Sequence, residues 1–111
     1  MERELLTNAG RKPATRFYPY QKDPPVEGIR GRVTWQLDRC IGCGRCPRVC
    51  PAEAIELFGT GRAATITYHL DRCVFCGECV DVCPTAAIST TTDYELAAQS
   101  RDGMRIEYAR T

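Results

Sequence analysis

Four short stretches of the chain combine alternating or β-rich apolar residues with flanking turn residues. They predict strands, at residues 33–38, 54–58, 65–70 and 87–91. A Gly-Thr-Gly turn at residues 59–61 separates the second strand from the third. Residues 45–50 and 78–83 lie between strands and predict helices of about two turns. The pattern therefore favours an α+β fold of short elements.

The predicted elements occur twice because the chain contains an internal repeat. Residues 38–57 align with residues 71–90 at an offset of 33, with 11 identities in 20 positions. A period that occurs only twice is typical of a duplicated half-domain and not of a solenoid. We therefore predict a domain of two halves related by a pseudo-twofold axis.

All eight cysteines of the chain lie inside this repeat, in two runs of one spacing. The runs read C-x2-C-x2-C-x3-C-P, at Cys40, Cys43, Cys46 and Cys50, and at Cys73, Cys76, Cys79 and Cys83. This spacing is typical of bacterial ferredoxins with two [4Fe–4S] clusters, in which the fourth cysteine of each run ligates the other cluster. We predict two [4Fe–4S] clusters, the first held by Cys40, Cys43, Cys46 and Cys83, and the second by Cys73, Cys76, Cys79 and Cys50.

Disulfides and zinc are the two alternatives for these cysteines. Disulfides fit poorly because no secretory signal precedes the cysteines and three of them fall within seven residues. Zinc sites use separated C-x2-C pairs, whereas here a third cysteine follows at once. Free cysteines without a signal indicate a reducing compartment such as the cytoplasm.

The residues around the cysteines agree with cluster binding. Gly42, Gly44 and Gly77 are expected to let the backbone approach inorganic sulfide closely. Apolar residues are expected to keep water away from the clusters, namely Ile41, Val49, Ile55, Val74, Phe75, Val82 and Ile88.

The two predicted helices differ in charge. Arg45 and Arg48 in the first half align with Glu78 and Asp81 in the second. Positive charge near a cluster favours its reduced state, so we hypothesise that the first cluster has the higher reduction potential. The alternative is that both pairs are solvated helix faces or partner contacts.

Length and composition indicate one small domain with tails. The chain has 111 residues, and its 15 basic and 14 acidic residues give a net charge of +1. This balance gives no indication of nucleic-acid binding. No stretch reaches the roughly 18 apolar residues of a membrane span, so we expect no transmembrane segment.

Segments on both sides of the repeat domain, residues 33–91, predict further contacts. Residues 1–32 contain four prolines, several basic residues and the aromatic residues Phe17, Tyr18 and Tyr20. They predict an extended arm laid over a partner, with a disordered basic tail as the alternative. Residues 92–111 predict a short helix at 94–99 and an added strand or docking segment at 101–111.

The motifs together resemble a known family. They run in order from the arm to the tail, as Lys12-Pro13-Ala14-Thr15, Tyr18-Pro19-Tyr20, Pro24-Pro25, Arg30-Gly31-Arg32, the two cysteine runs and Asp93-Tyr94-Glu95-Leu96-Ala97. Over residues 12–98 the chain is similar to the two-cluster ferredoxin-like subunit of membrane-bound group 4 [NiFe] hydrogenases and formate hydrogenlyases. That subunit is homologous to the corresponding subunit of complex I. The compact spacing before and between the cysteine runs favours the hydrogenase side.

The resemblance implies an electron-relay subunit without a catalytic site of its own. Its expected partners are the catalytic large and small subunits of a hydrogenase-type or complex I-type complex, with soluble ferredoxin as a candidate donor. The expected location is peripheral, on the cytoplasmic side of the membrane. A GxGxxG dinucleotide motif and spare cysteines for nickel are absent from the sequence. The alternatives are a complex I-like or sulfur-reducing oxidoreductase subunit, a free soluble ferredoxin and a purely structural iron–sulfur module.

Overall fold

Two antiparallel sheets and three short helices form the fold. The computed structural model describes residues 2–110, so Met1 and Thr111, the ends of the predicted arm and tail, lie outside the described part. The helices are α1 (Glu2–Ala9), α2 (Arg45–Val49) and α3 (Glu78–Asp81). The strands are β1 (Val33–Trp35), β2 (Ile55–Phe58), β3 (Thr65–His69), β4 (Ile88–Thr90) and β5 (Arg105–Tyr108).

Each predicted element of the repeat is confirmed, with slightly shorter bounds. Strand β1 pairs with β4, with Trp35 opposite Ile88. Strand β2 pairs with β3 across the predicted turn, with Ile55 opposite Tyr68. The first and last strands of the repeat therefore form one sheet, and the two middle strands begin the other.

Strand β5 completes the second sheet, so that its order is β2-β3-β5. Ile106 pairs with Tyr68, and Tyr108 pairs with Ile66. Ile106 and Tyr108 are half-buried, whereas Arg105 and Glu107 are exposed. The alternation seen in the sequence therefore reflects one face packed on the core, and the predicted added strand is confirmed for residues 105–108.

The hydrophobic core lies between the two sheets and the short helices α2 and α3. Its buried members include Val33, Trp35, Ile55, Ile66, Tyr68 and Ile88, together with the buried cysteines Cys46 and Cys79. Trp35 packs between two tyrosines, with ring centroids 5.0 Å from Tyr68 and 5.2 Å from Tyr108. A core this small and this rich in cysteine needs cross-links or metal centres for stability.

The terminal segments differ from the prediction in two places. Residues 2–9 form a helix although an extended arm was predicted, because this stretch precedes the first proline and contains glutamate, arginine and leucine, which favour helices. The helix predicted at residues 94–99 is wrong. Residues 94–99 have no regular secondary structure, and the backbone hydrogen bonds that extend the β1–β4 pairing end just before them, where the Arg32 amide donates to the Asp93 carbonyl at 3.0 Å.

Candidate iron–sulfur centres

The first candidate centre is a small cavity against strand β1 and helix α2. Four cysteine thiols line it, from Cys40, Cys43, Cys46 and Cys83. Three of these cysteines precede or occupy α2, while Cys83 follows α3 in the other half of the repeat. The structure thus brings together the four residues that the sequence assigned to the first cluster.

The second candidate centre is a small cavity against β2, β3 and α3. It is lined by Cys73, Cys76, Cys79 and Cys50. Here Cys50 is the residue contributed by the other half. The fourth cysteine of each run therefore lies in the opposite cavity, as crossed ligation requires, and ligation itself remains a prediction.

Apolar side chains form most of both walls. Among the residues predicted for this role, Ile41 and Ile88 border the first cavity, and Ile55, Val74 and Phe75 border the second. Val49 packs against the hydrophobic core instead. Ile55 and Ile88 are buried, whereas Ile41 and Val74 are exposed, so the walls restrict water on their inner side only. Local dielectric and water access are two of the factors that set cluster potentials.

The backbone that presents the cysteines has the same form in both halves. Gly44 and Gly77 precede the helices α2 and α3 with left-handed φ values of 69° and 88°. After each fourth cysteine, Glu53 and Ala86 are also left-handed, with φ values of 48° and 47°. This geometry aims amide groups at sulfur: Ala54 donates to Cys50 Sγ and Ala87 donates to Cys83 Sγ, each at 3.3 Å.

Position 42 must be glycine because of a close backbone contact that the sequence did not indicate. Its φ is +62°, and a Cβ at this position would lie 2.4 Å from the Gly61 carbonyl oxygen. The neighbour that excludes a side chain is therefore the backbone of the turn between β2 and β3. The equivalent position in the second half is Phe75, which accepts a left-handed φ of 54° with a full side chain.

Burial and amide donors act in opposite directions on the cysteine pKa values. Burial raises the pKa of Cys46 to about 11 and that of Cys79 to about 12. Burial also opposes ionisation of Cys83, but amide N–H groups of Ala87 and Thr85 outweigh it and lower the pKa. Because iron binds thiolates, loading these cavities must release protons from Cys46 and Cys79.

The donor set of each cavity fits a [4Fe–4S] cluster. Each cavity offers four sulfur ligands, one for each iron corner, and an amide donor that points at one of those sulfurs.

Sequence reasoning missed two aromatic residues that border the cavities. Trp35 lines the first cavity and Tyr68 lines the second. Burial is the main reason that the pKa of Tyr68 is raised, and the adjacent Cys73 sulfur raises it further. The signal was present in the repeat, because residues 35 and 68 are separated by the same offset of 33.

Two arginines outside the repeat donate hydrogen bonds to backbone carbonyls at and near the two cysteine runs. Arg30 donates to the Cys76 carbonyl at 2.8 Å. Arg110 donates to the carbonyls of Leu37, Cys40 and Arg62, with distances of 3.2 Å to Cys40 and 2.6 Å to Arg62. The terminal segments thus place one guanidinium beside each cysteine loop.

Comparison with known proteins agrees with this geometry. A family model described as 4Fe-4S dicluster domain matches residues 39–87. The fold and the paired sites define a ferredoxin-like 4Fe–4S dicluster domain of mixed helix and sheet.

The curated relatives that this domain matches are oxidoreductase subunits. The chloroplastic NAD(P)H-quinone oxidoreductase subunit I of Chloranthus spicatus is 48% identical over 48 residues, 43% of this chain and 27% of that protein. The NAD(P)H-quinone oxidoreductase subunit I of Synechococcus sp. (strain JA-2-3B'a(2-13)) is 43% identical over 49 residues, 44% of this chain and 23% of that protein. This chain thus spans about a quarter of the length of those relatives.

The likeness to a solved structure is more extensive. A chain of the membrane-bound sulfane sulfur reductase, an archaeal respiratory membrane complex, matches 89% of this chain with 33% identity and a TM-score of 0.68. The match covers 55% of that chain. Within residues 2–110, no helix combines the length and apolar character needed to cross a membrane.

Proposed function

We propose that this chain is an electron-transfer subunit that relays single electrons through two [4Fe–4S] clusters within a membrane-associated respiratory complex. The observation that carries the proposal is the pair of cavities, each lined by four cysteine thiols from both halves of the repeat. The clusters would supply one-electron redox chemistry. The protein's own part is to hold them with the eight cysteines, to exclude water with the apolar walls and to direct amide donors at sulfur.

A relay needs its centres close together, and the structure supports this. Trp35 borders the first cavity, Tyr68 borders the second, and their ring centroids lie 5.0 Å apart. The two cavities therefore border the two members of one contacting aromatic pair. The matching backbone conformations also support two halves related by a pseudo-twofold axis.

The arm, residues 1–32, supports assembly with other subunits. Phe17 and Tyr20 are 71% and 94% exposed, and aromatic residues are enriched where proteins contact a partner. The longest dimension of the described chain is 66 Å, against 29 Å and 25 Å for the other two. Tyr18 and Lys22 both bind the carboxylate of Glu95, which holds the arm against residues 92–111. The exposed aromatic side chains are then free to pack on a partner.

Two types of complex are candidates. The arm motifs and the compact cysteine spacing support a group 4 [NiFe] hydrogenase-type complex, with catalytic large and small subunits as partners and reduced ferredoxin as donor. The likeness to the sulfane sulfur reductase and to quinone oxidoreductase subunit I supports a complex I-like or sulfur-reducing relative. In either case we place the chain at the cytoplasmic face of the membrane, without a nucleic-acid partner and without catalysis of its own.

The test is a native pull-down of the tagged chain from detergent-solubilised membranes, followed by metal analysis and a hydrogen-dependent viologen reduction assay. We expect a multi-subunit complex that contains iron and acid-labile sulfide. Nickel with hydrogen turnover supports the hydrogenase-type complex, whereas a nickel-free complex that reduces polysulfide or quinone supports the other. A chain recovered alone in the soluble fraction overturns the membrane-complex proposal in favour of a free ferredoxin. Clusters that dithionite does not reduce overturn the relay.

A further inference from the structure

Four buried side-chain atoms of the described residues lack an oxygen or nitrogen hydrogen-bond partner. Two of them are donors in the core that approach cysteine sulfurs, Cys46 for Trp35 and Cys73 for Tyr68. They are the indole Nε1 of Trp35 and the phenol oxygen of Tyr68. Trp35 is 6% exposed and Tyr68 is 1% exposed, so neither donor reaches water. Buried donors are paired in the great majority of native structures, and each unpaired one requires an explanation.

Both donors belong to residues that line a candidate cluster cavity. Trp35 borders the cavity of Cys40, Cys43, Cys46 and Cys83, whereas Tyr68 borders the cavity of Cys73, Cys76, Cys79 and Cys50. Each aromatic residue stands five positions before the first cysteine of its run. The coincidence of position, burial and missing oxygen or nitrogen partner therefore occurs once in each half.

The comparison of the two side chains is informative because their rings differ in size and chemistry while two features are shared. Tryptophan and tyrosine share an aromatic ring and a single hydrogen-bond donor at the ring edge, and the indole group has no acceptor. A position that needs only apolar packing is satisfied by phenylalanine. The shared feature beyond packing is thus an N–H or O–H directed at the same kind of site.

We infer that the Trp35 indole N–H and the Tyr68 hydroxyl each donate a hydrogen bond to a sulfur atom of the cluster in their own cavity. The inference rests on the proposed occupation of both cavities by [4Fe–4S] clusters. Cluster sulfurs carry negative charge, and this charge increases on reduction. A donor therefore stabilises the reduced form more than the oxidised form, which raises the reduction potential.

The first test compares Tyr68→Phe with the unmodified chain in an EPR-monitored redox titration. We expect the variant to lower the equilibrium constant for reduction of the second cluster about tenfold, which is about 59 mV for a one-electron couple. The first cluster should keep its potential. The matched control is Tyr108→Phe, since Tyr108 also packs on Trp35 but its hydroxyl donates to the Val33 carbonyl. Unchanged potentials in Tyr68→Phe, with both clusters present, would overturn the assignment for Tyr68.

The second test needs no variant because Trp35 is the single tryptophan of the chain. The full chain is prepared with tryptophan labelled with nitrogen-15 in the indole ring, and the reduced protein is studied by pulsed EPR. We expect a nitrogen-15 hyperfine coupling to the first cluster. A chain that holds two clusters but shows no such coupling overturns the inference for Trp35 alone. A chain that binds no iron and sulfide on reconstitution overturns the proposed function, and the inference falls with it.

Discussion

The two halves of the repeat, residues 38–57 and 71–90, agree in how they present cysteines and differ in what surrounds them. Left-handed backbone at Gly44 and Glu53 recurs at Gly77 and Ala86. The amide donor to the fourth cysteine recurs at the same distance of 3.3 Å. The agreement shows that the cluster-binding backbone depends on a short pattern of residues that tolerates different neighbours.

The differences lie where each half meets the rest of the chain. Gly42 touches the turn at Gly61, whereas its counterpart Phe75 lines a cavity wall. Arg110 ties Cys40 of the first cysteine run to Leu37 and to Arg62 in the β2–β3 connection through three carbonyls, while Arg30 contacts the second run through the Cys76 carbonyl alone. The comparison teaches that two sites of equal ligand geometry are made unequal by contacts outside the ligands.

The largest effect on iron content is expected from substitutions that test whether each cluster takes its fourth cysteine from the other half. If Cys40 and Cys83 serve one cluster, Cys40→Ala combined with Cys83→Ala removes only that cluster and leaves about four of about eight iron atoms. Cys73→Ala combined with Cys83→Ala removes one ligand from each cluster and depletes both. Iron and sulfide analysis of the two double variants distinguishes crossed ligation from ligation by the four cysteines of a single run. Equal iron loss in the two would contradict crossed ligation.

A smaller effect on stability is expected at Gly42. Gly44→Ala places a side chain at a left-handed position with open space around it, and should cost about 1–2 kcal/mol. Gly42→Ala has the same backbone strain and adds the 2.4 Å approach to the Gly61 carbonyl oxygen, so it should be more destabilising. Thermal loss of the visible cluster absorbance measures both. Similar midpoint temperatures for cluster loss in the two variants would show that the turn at Gly61 moves away at no cost in stability.

Substitutions of Arg110 and Arg30 should speed iron release to different extents. We expect Arg110→Gln to speed the release of iron from the first cluster more than Arg30→Gln speeds release from the second, because Arg110 contacts three carbonyls and Arg30 contacts one. The measurement is the rate of iron transfer to a chelator, with Arg105→Gln as the control for loss of a surface charge. Equal rates in all three variants would exclude a role for these contacts.

The smallest effect concerns the charges on α2 and α3. Arg45→Glu combined with Arg48→Asp should lower the potential of the first cluster by on the order of 30 mV at low ionic strength. The reverse change, Glu78→Arg with Asp81→Arg, should raise that of the second cluster. All four side chains are exposed, so the shifts should shrink as salt is added. A redox titration in which neither midpoint moves would leave these charges as solvated helix faces.

Local patterns in the sequence predicted the repeat well because each half is built from contacts between near neighbours. The strands β1 to β4 and the helices α2 and α3 follow from alternation and from the cysteine spacing. The grouping of cysteines into two cavities followed from the same spacing. The helix α1 was predictable too, since its composition favours helix and the first proline comes after it.

Contacts between distant segments were beyond sequence reasoning. Residues 94–99 contain helix-forming residues, but a stretch of six is too short to be stable alone. In the structure the stretch is not helical, and Glu95 contacts the distant residues Tyr18 and Lys22. The carbonyl contacts of Arg30 and Arg110 span 46 and 70 residues, and nothing in the local pattern announces them.

The position of Cys83 in the first cavity has a consequence for the order of events during synthesis. After Cys46 has left the ribosome, 37 more residues must be made before Cys83 completes the site. At 5–20 residues per second this takes about 2–7 s. During that interval three cysteines are exposed without their fourth partner, vulnerable to oxidation and unable to retain a complete cluster. If this cavity holds the proposed cluster, we expect iron and sulfide delivery to follow the synthesis of both halves.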